Sequence, residues 1–106
     1  MDRKKFEEVF QQGRRANGRF ARLCAQPGTG ELGLTTARSI GSHARRNRAR
    51  RRLREAWRAA GPWCSRDAVV VGLPSSLGAK LPDIVRDIEA LRARIESCEQ
   101  GTSGSP

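Results

Sequence analysis

Residues 31–60, ELGLTTARSIGSHARRNRARRRLREAWRAA, join a strand to a helix. Glu31 to Arg38 has the short β-type pattern of the returning strand of a hairpin. Gly41-Ser42 marks a helix start, with Ser42 placed to cap it. Ala49, Leu53, Ala56, Trp57 and Ala60 then fall at i, i+4, i+7, i+8 and i+11, one apolar face of a helix. Gly61-Pro62 ends it. The rest of this helix is arginine: Arg45 to Arg58 holds eight of them against one acid, Glu55. Pairs such as Arg46/Arg50, Arg48/Arg52, Arg50/Arg54 and Arg54/Arg58 are like-charge neighbours, each costing about 0.2–0.5 kcal/mol. A solvated surface helix interleaves glutamates to remove that repulsion. Here it is left in place, which makes physical sense if phosphates of a polyanion neutralise the face.

The whole chain carries the same message. It has 106 residues, a net charge of +10 and a pI near 11.3. Residues 3–58 contain 16 Arg or Lys against 4 acids, whereas residues 59–106 contain 5 against 6. The basic surface therefore belongs to the first half, and it calls for a polyanionic partner. Arginine outnumbers lysine 18 to 3, which suits planar stacking and bidentate phosphate contact. The three cysteines, Cys24, Cys64 and Cys98, show no metal spacing and no sequence-evident activating partner. No apolar run approaches the length of a membrane span and no signal peptide is apparent. The expectation is a soluble cytoplasmic protein.

Outward from the arginine helix, Asp2 is placed to cap a helix over 3–12 with Phe6, Val9 and Phe10 on one stripe, and Gly13 to stop it. Residues 19–26 alternate as a strand, with Phe20, Arg22 and Cys24 on one face and Ala21, Leu23 and Ala25 on the other. Pro27 to Gly30 is a turn, making 31–38 the second strand of a hairpin. Residues 67–73 form a short buried strand, 74–80 a loop, and Pro82 opens a third helix carrying Ile84, Val85, Ile88, Leu91 and Ile95 to about Ser97. The fold class is α+β, a small two-layer sandwich in the order helix, strands, helix, strand, helix. One domain is expected over 1–99, with a disordered tail over 100–106.

The segment from Leu32 to Thr36, then Ile40-Gly41, then Arg45-Arg46-Asn47-Arg48 through Arg51, Arg52, Leu53, Arg54, Glu55, Ala56 and Trp57 resembles the bacterial ribonuclease P protein family. Phe6, Phe10, Gly13 and Arg19 resemble that family's first helix and strand, and the likeness runs over about residues 3–97. The resemblance implies three strands before the arginine helix and a left-handed crossover, where sequence physics alone favours a right-handed one. It implies contact with a catalytic RNA, the ribonuclease P RNA, through Arg45, Arg46, Asn47, Arg48, Arg50, Arg51 and Arg54. It also implies a cleft for the 5′ leader of precursor tRNA, lined by Phe6, Phe10, Arg22 and Cys24, where the aromatics stack or pack on leader nucleotides. Phosphodiester hydrolysis belongs to the RNA, with Mg²⁺ held mainly there, and no catalytic or metal-binding residue is assigned to the protein.

The chain departs from the family pattern in three places. Cys24 stands where an aromatic is usual on the cleft strand, and Ser39 where a second basic residue often follows Arg38. The basic arm before the first helix is reduced to Arg3, Lys4 and Lys5. An aromatic restored at Cys24, as in Cys24→Tyr, is expected to tighten precursor binding.

Other chemistry is weaker. His43 is the single histidine, at a helix start and with no carboxylate pair near it in sequence. No phosphate-binding glycine loop occurs. The competing class is a non-catalytic, ribosomal-type RNA-binding protein. A DNA-binding module ranks third, since no helix-turn-helix precedes the arginine helix, and neither DNA nor a membrane is an expected partner. If the helix engages about five phosphates, the slope of log K for RNA against log salt is roughly −3.5 to −4.5. Filter-binding titrations across a salt series check this, and a flat dependence contradicts it.

Overall fold

The computed structural model describes the backbone of residues 1–104 and the side chains of residues 1–97. Helix α1 is Arg3–Gln12, capped by the Asp2 carboxylate, which accepts from the Lys5 amide at 2.8 Å. Strands β1 (Arg14–Asn17), β2 (Ala21–Pro27) and β3 (Leu32–Thr36) follow. Helix α2 is His43–Ala60, with the Ser42 hydroxyl accepting from the Arg45 amide as its cap. Strand β4 (Arg66–Gly72), a single 3₁₀ turn at Pro74–Leu77 and helix α3 (Leu81–Gly104) complete the order. Helix α3 thus continues past the expected end near Ser97. The tail expected over 100–106 falls where no side chain is described, and residues 105–106 lie outside the described residues.

The four strands form one mixed sheet in the order β1-β2-β4-β3. This corrects the expected hairpin. β2 and β3 run in opposite directions but do not pair, because β4 lies between them, antiparallel to β2 and parallel to β3. Ala68, Val69, Val70 and Val71 are buried on both faces, the continuous apolar pattern of a central strand covered by helices above and below. The true hairpin is β1 with β2. β1 reads Arg-Arg-Ala-Asn, with no apolar alternation to announce a strand. It is nonetheless the third strand that the family resemblance required before α2.

Insertion of β4 forces the turn between β2 and β3 to bridge a strand's width, and Asp67 makes that possible. Asp67 is fully buried, and its Oδ1 accepts from the amides of Thr29 and Glu31, each at 3.0 Å. Its Oδ2 lies 2.9 Å from the Lys5 ammonium on α1. Only glycine fits at position 28, where any Cβ would collide with this carboxylate. Asp87 on α3 does the same for the β1–β2 turn, accepting from the amides of Arg19 and Phe20 at 3.1 and 2.9 Å.

Helices α2 and α3 cover one face of the sheet. Leu23, Ala25, Ala68 and Val70 meet Leu53, Ala56, Ile84, Ile88, Leu91 and Ile95 there, so the expected apolar stripes of both helices face the core. The sheet-on-helices core expected from sequence is present. In addition α1 covers part of the opposite face, where Val9 packs on Cys24 and Val69 with Phe6 beside them. Arg92 ties α3 to the end of α2. It donates to the carbonyls of Ala60 and Gly61 at 3.2 and 2.9 Å, while its guanidinium lies 4.1 Å from the Trp57 ring centroid.

Burial raises the Asp67 carboxyl pKa, but the Lys5 ammonium and the two amides outweigh it and hold the pKa below its ordinary value of 3.8. The hydrogen bond and charge of Asp67 in turn raise Lys5 above 10.5. The stability lent by Asp67 is therefore complete above pH 3.8 and lost as pH falls through the depressed value. That lent by Lys5 is complete below pH 10.5 and lost as pH rises through the raised value. Replacing Asp67 by Ala should cost about 1–3 kcal/mol at neutral pH by orphaning turn amides. The gap from wild type in thermal melts should narrow in strong acid as the carboxylate is protonated, whereas a gap independent of pH contradicts the assignment. Leu53→Ala, which opens a cavity in the core, should cost about 2–5 kcal/mol at any pH.

Candidate nucleic-acid interface

Burial of Ala49, Leu53 and Ala56 fixes which arginines of α2 face water. Asn47, Arg51, Arg54 and Arg58, at i, i+4, i+7 and i+11, form an exposed stripe opposite the core, with Arg45 and Arg48 exposed beside it. Among the described residues, the side chains of Arg45, Arg48, Arg51, Arg54 and Arg58 have no acidic partner within 4.0 Å. The other three arginines of the helix are hydrogen-bonded within the chain. Arg46 Nε donates to the Ile40 carbonyl at 2.8 Å, Arg50 to Asn47 Oδ1 at 3.3 Å, and Arg52 to the carbonyls of Ser76 and Ala79, which seats the 3₁₀ turn on α2.

On the other face of the sheet, register places two rows of residues side by side. Gly33, Val69, Cys24 and Arg15 form one row across the four strands, and Thr35, Val71, Arg22 and Asn17 form the next. Helix α1 packs on Val69 and Cys24 of the first row. Beside it lies an open groove of about 360 Å³, lined by Phe10, Arg15, Asn17, Arg22, Cys24 and Val71. Phe10 is 38% exposed at its rim and stacks with Phe6, ring centroids 6.2 Å apart. Arg15 lies over Phe10, 5.1 Å from the ring centroid, and donates to the Phe10 carbonyl at 2.7 Å.

The groove and the arginine helix adjoin, although they lie on opposite faces. The parallel strands β3 and β4 end together, and the Ala37 amide donates to the Gly72 carbonyl at 2.8 Å as the chain leaves β3. Thr35 and Val71 lie at this end, and α2 begins from it with Arg45 and Arg46 in its first turn. Exposed Arg38 stands between them. The open row of the groove and the start of the arginine helix therefore lie at the same end of the sheet, with Arg38 in the connection that leads from β3 to α2.

The structure brings Phe10, Arg22 and Cys24 together as the sequence reading grouped them, and sets Phe6 apart from the groove, against Gly33 and the α1 cluster. Cys24 is only 3% exposed beneath Val9. Its burial raises the thiol pKa, an effect that Arg15 partly offsets. A tyrosine there would overpack the α1–sheet contact at about 1–3 kcal/mol, so the expectation that Cys24→Tyr tightens binding is withdrawn. Phe20, expected to share a face with Arg22, precedes β2 and packs towards α3 instead. Sequence reading left out Arg58, which the i+11 spacing marks, and also Arg15 and Asn17, for which β1 gave no signal.

No three His, Cys, Asp or Glu side chains among the described residues are placed to hold a metal ion. No helix among them is long and apolar enough to cross a membrane. A split hairpin closed on a central parallel strand, with a bare guanidinium face and an adjoining groove, defines a small basic α+β protein built to meet a polyanion. The sequence profile of the Ribonuclease P family matches residues 1–96, and the chain belongs to that family. Its fold is that of the Staphylococcus aureus RNase P protein, at a TM-score of 0.69 and 16% identity over 90% of this chain and 94% of that one. The RNase P protein from Thermotoga maritima is similar at 0.69 and 19% identity, over 83% and 88% of the two chains. Comparison with curated protein sequences gave no match.

The placement of the arginines divides them by consequence. Arg51→Ala and Arg54→Ala should leave thermal stability within about 0.5 kcal/mol of wild type, as exposed substitutions do. Arg52→Ala should cost about 1–3 kcal/mol, because it orphans two carbonyls. Arg46→Ala, which the sequence alone places with the purely RNA-facing residues, should also lose measurable stability. Circular-dichroism melts check this, and equal melting of the Arg51 and Arg52 variants contradicts it.

Proposed function

We propose that this chain is the protein subunit of a ribonuclease P holoenzyme working in the cytoplasm. It binds the catalytic RNA through the exposed face of α2 and receives the 5′ leader of precursor tRNA in the groove beside α1. The RNA, with Mg²⁺ held mainly by it, performs the endonucleolytic removal of the leader, and this chain contributes no group to bond cleavage. The observation that carries the reading is the exposed arginine stripe of α2, whose side chains have no acidic partner within 4.0 Å among the described residues. A helix that keeps like charges one turn apart is relieved when phosphates displace counterions along it. Asn47 adds an amide donor and acceptor among the guanidinium groups. The groove distinguishes precursor from mature tRNA because only the precursor carries a single strand to fill it.

Adding the protein to a ribonuclease P RNA should stimulate cleavage of precursor tRNA at limiting Mg²⁺, and Arg51→Ala with Arg54→Ala should weaken that stimulation. RNA binding without any stimulation would replace this reading with that of a structural, ribosomal-type RNA binder.

A further inference from the structure

The groove floor carries no aromatic ring: it is Asn17, Arg22, Cys24 and Val71. Phe10 supplies the rim, and Arg15 already lies over it. The Arg15 guanidinium carbon is 5.1 Å from the ring centroid, and Nη2 is anchored to the Phe10 carbonyl at 2.7 Å. Arg15 is exposed, lines the groove, and has no acidic partner within 4.0 Å among the described residues. A guanidinium is flat and delocalised, and stacks on aromatic faces and on bases alike. Here one of its donors is spent on holding its own position, and the ring below limits its rotamers. The ordering that usually opposes stacking has therefore been met in the free protein.

We propose that the Arg15 guanidinium is the surface on which one unpaired nucleobase of the leader stacks, with Phe10 beneath it as a positioning residue. This rests on the leader-groove reading and names the contact within it. The base would lie on the guanidinium plane, and Arg22 in the neighbouring row supplies charge for the adjoining phosphate. Asn17 stands at the end of that row. Its backbone carbonyl is held by Arg94 at 2.7 Å, and its exposed amide faces the same groove. An arginine platform compensates for the missing aromatic at Cys24 without enlarging the α1–sheet contact, which has no room for one.

The test separates a plane from a point charge. In holoenzyme assembled with a ribonuclease P RNA, the ratio of precursor to mature tRNA affinity is measured for wild type, Arg15→Lys, Arg15→Ala and Phe10→Ala. A set of precursors with single abasic leader positions is measured alongside. Both Arg15 variants should lose about 5- to 10-fold in the ratio, the lower end of base stacking. Wild type should be sensitive to an abasic residue at one leader position, and Arg15→Lys should not. If Arg15→Lys keeps the wild-type ratio and abasic sensitivity while Arg15→Ala loses affinity, Arg15 acts only as a charge and the platform is overturned. If Arg15→Lys and Arg15→Ala both keep them and Phe10→Ala loses them, the ring itself is the stacking surface. A wild-type holoenzyme with no preference for precursor removes the leader reading, and the platform with it.

Discussion

The carboxylate of Asp67 holds three parts of the molecule to one point. Its two oxygens receive the amides of Thr29 and Glu31 from the β2–β3 turn and the ammonium of Lys5 from α1. Without an acceptor there, the turn that crosses the end of β4 would carry orphaned amides. Burying an anion is costly unless charge and hydrogen bonds compensate it, and this site supplies both. The groove inherits its geometry from that clamp. Lys5 fixes the first turn of α1, and α1 sets the height of Phe10 above the sheet.

Arginine serves two purposes in this chain, and acceptors separate them. Arg46, Arg52 and Arg92 each donate to backbone carbonyls, at Ile40, at Ser76 and Ala79, and at Ala60 and Gly61. They close loops and a helix end that would otherwise leave carbonyls unpaired. Arg45, Arg48, Arg51, Arg54 and Arg58 instead face water from α2. Arg15 belongs to both groups, since its hydrogen bond to Phe10 holds a cation in the groove rather than removing one from it.

The parallel pairing of β3 with β4 brings the two basic regions together. Because both strands end on the same side, the loop into α2 and the open row of the sheet share one edge. An antiparallel β3 would have started α2 at the opposite end of the sheet, away from that row.

The starts of the helices, the ends of α1 and α2, and the core stripes were legible because their signals are local; the end of α3, which has no such stop signal at Ser97, was not. Asp2, Ser42 and Gly61 mark helix ends, and Ala49, Leu53 and Ala56 repeat at the period of a helix face. The arginine block announced a polyanionic partner for the same reason, since charge density needs no fold to be counted. Strand pairing was not legible. β1 has no apolar alternation, and nothing in Ala68 to Val71 says that their neighbours are β2 on one side and β3 on the other. The roles of Asp67 and Asp87 were hidden as well, since each acts on turns that are tens of residues away. By itself, then, the sequence determined the class of the fold, the helices and the sign of the partner. Tertiary structure decided which arginines are free, and that Arg15 meets Phe10. Such contacts depend on which backbone carbonyls and rings arrive within hydrogen-bond reach only after distant segments have paired.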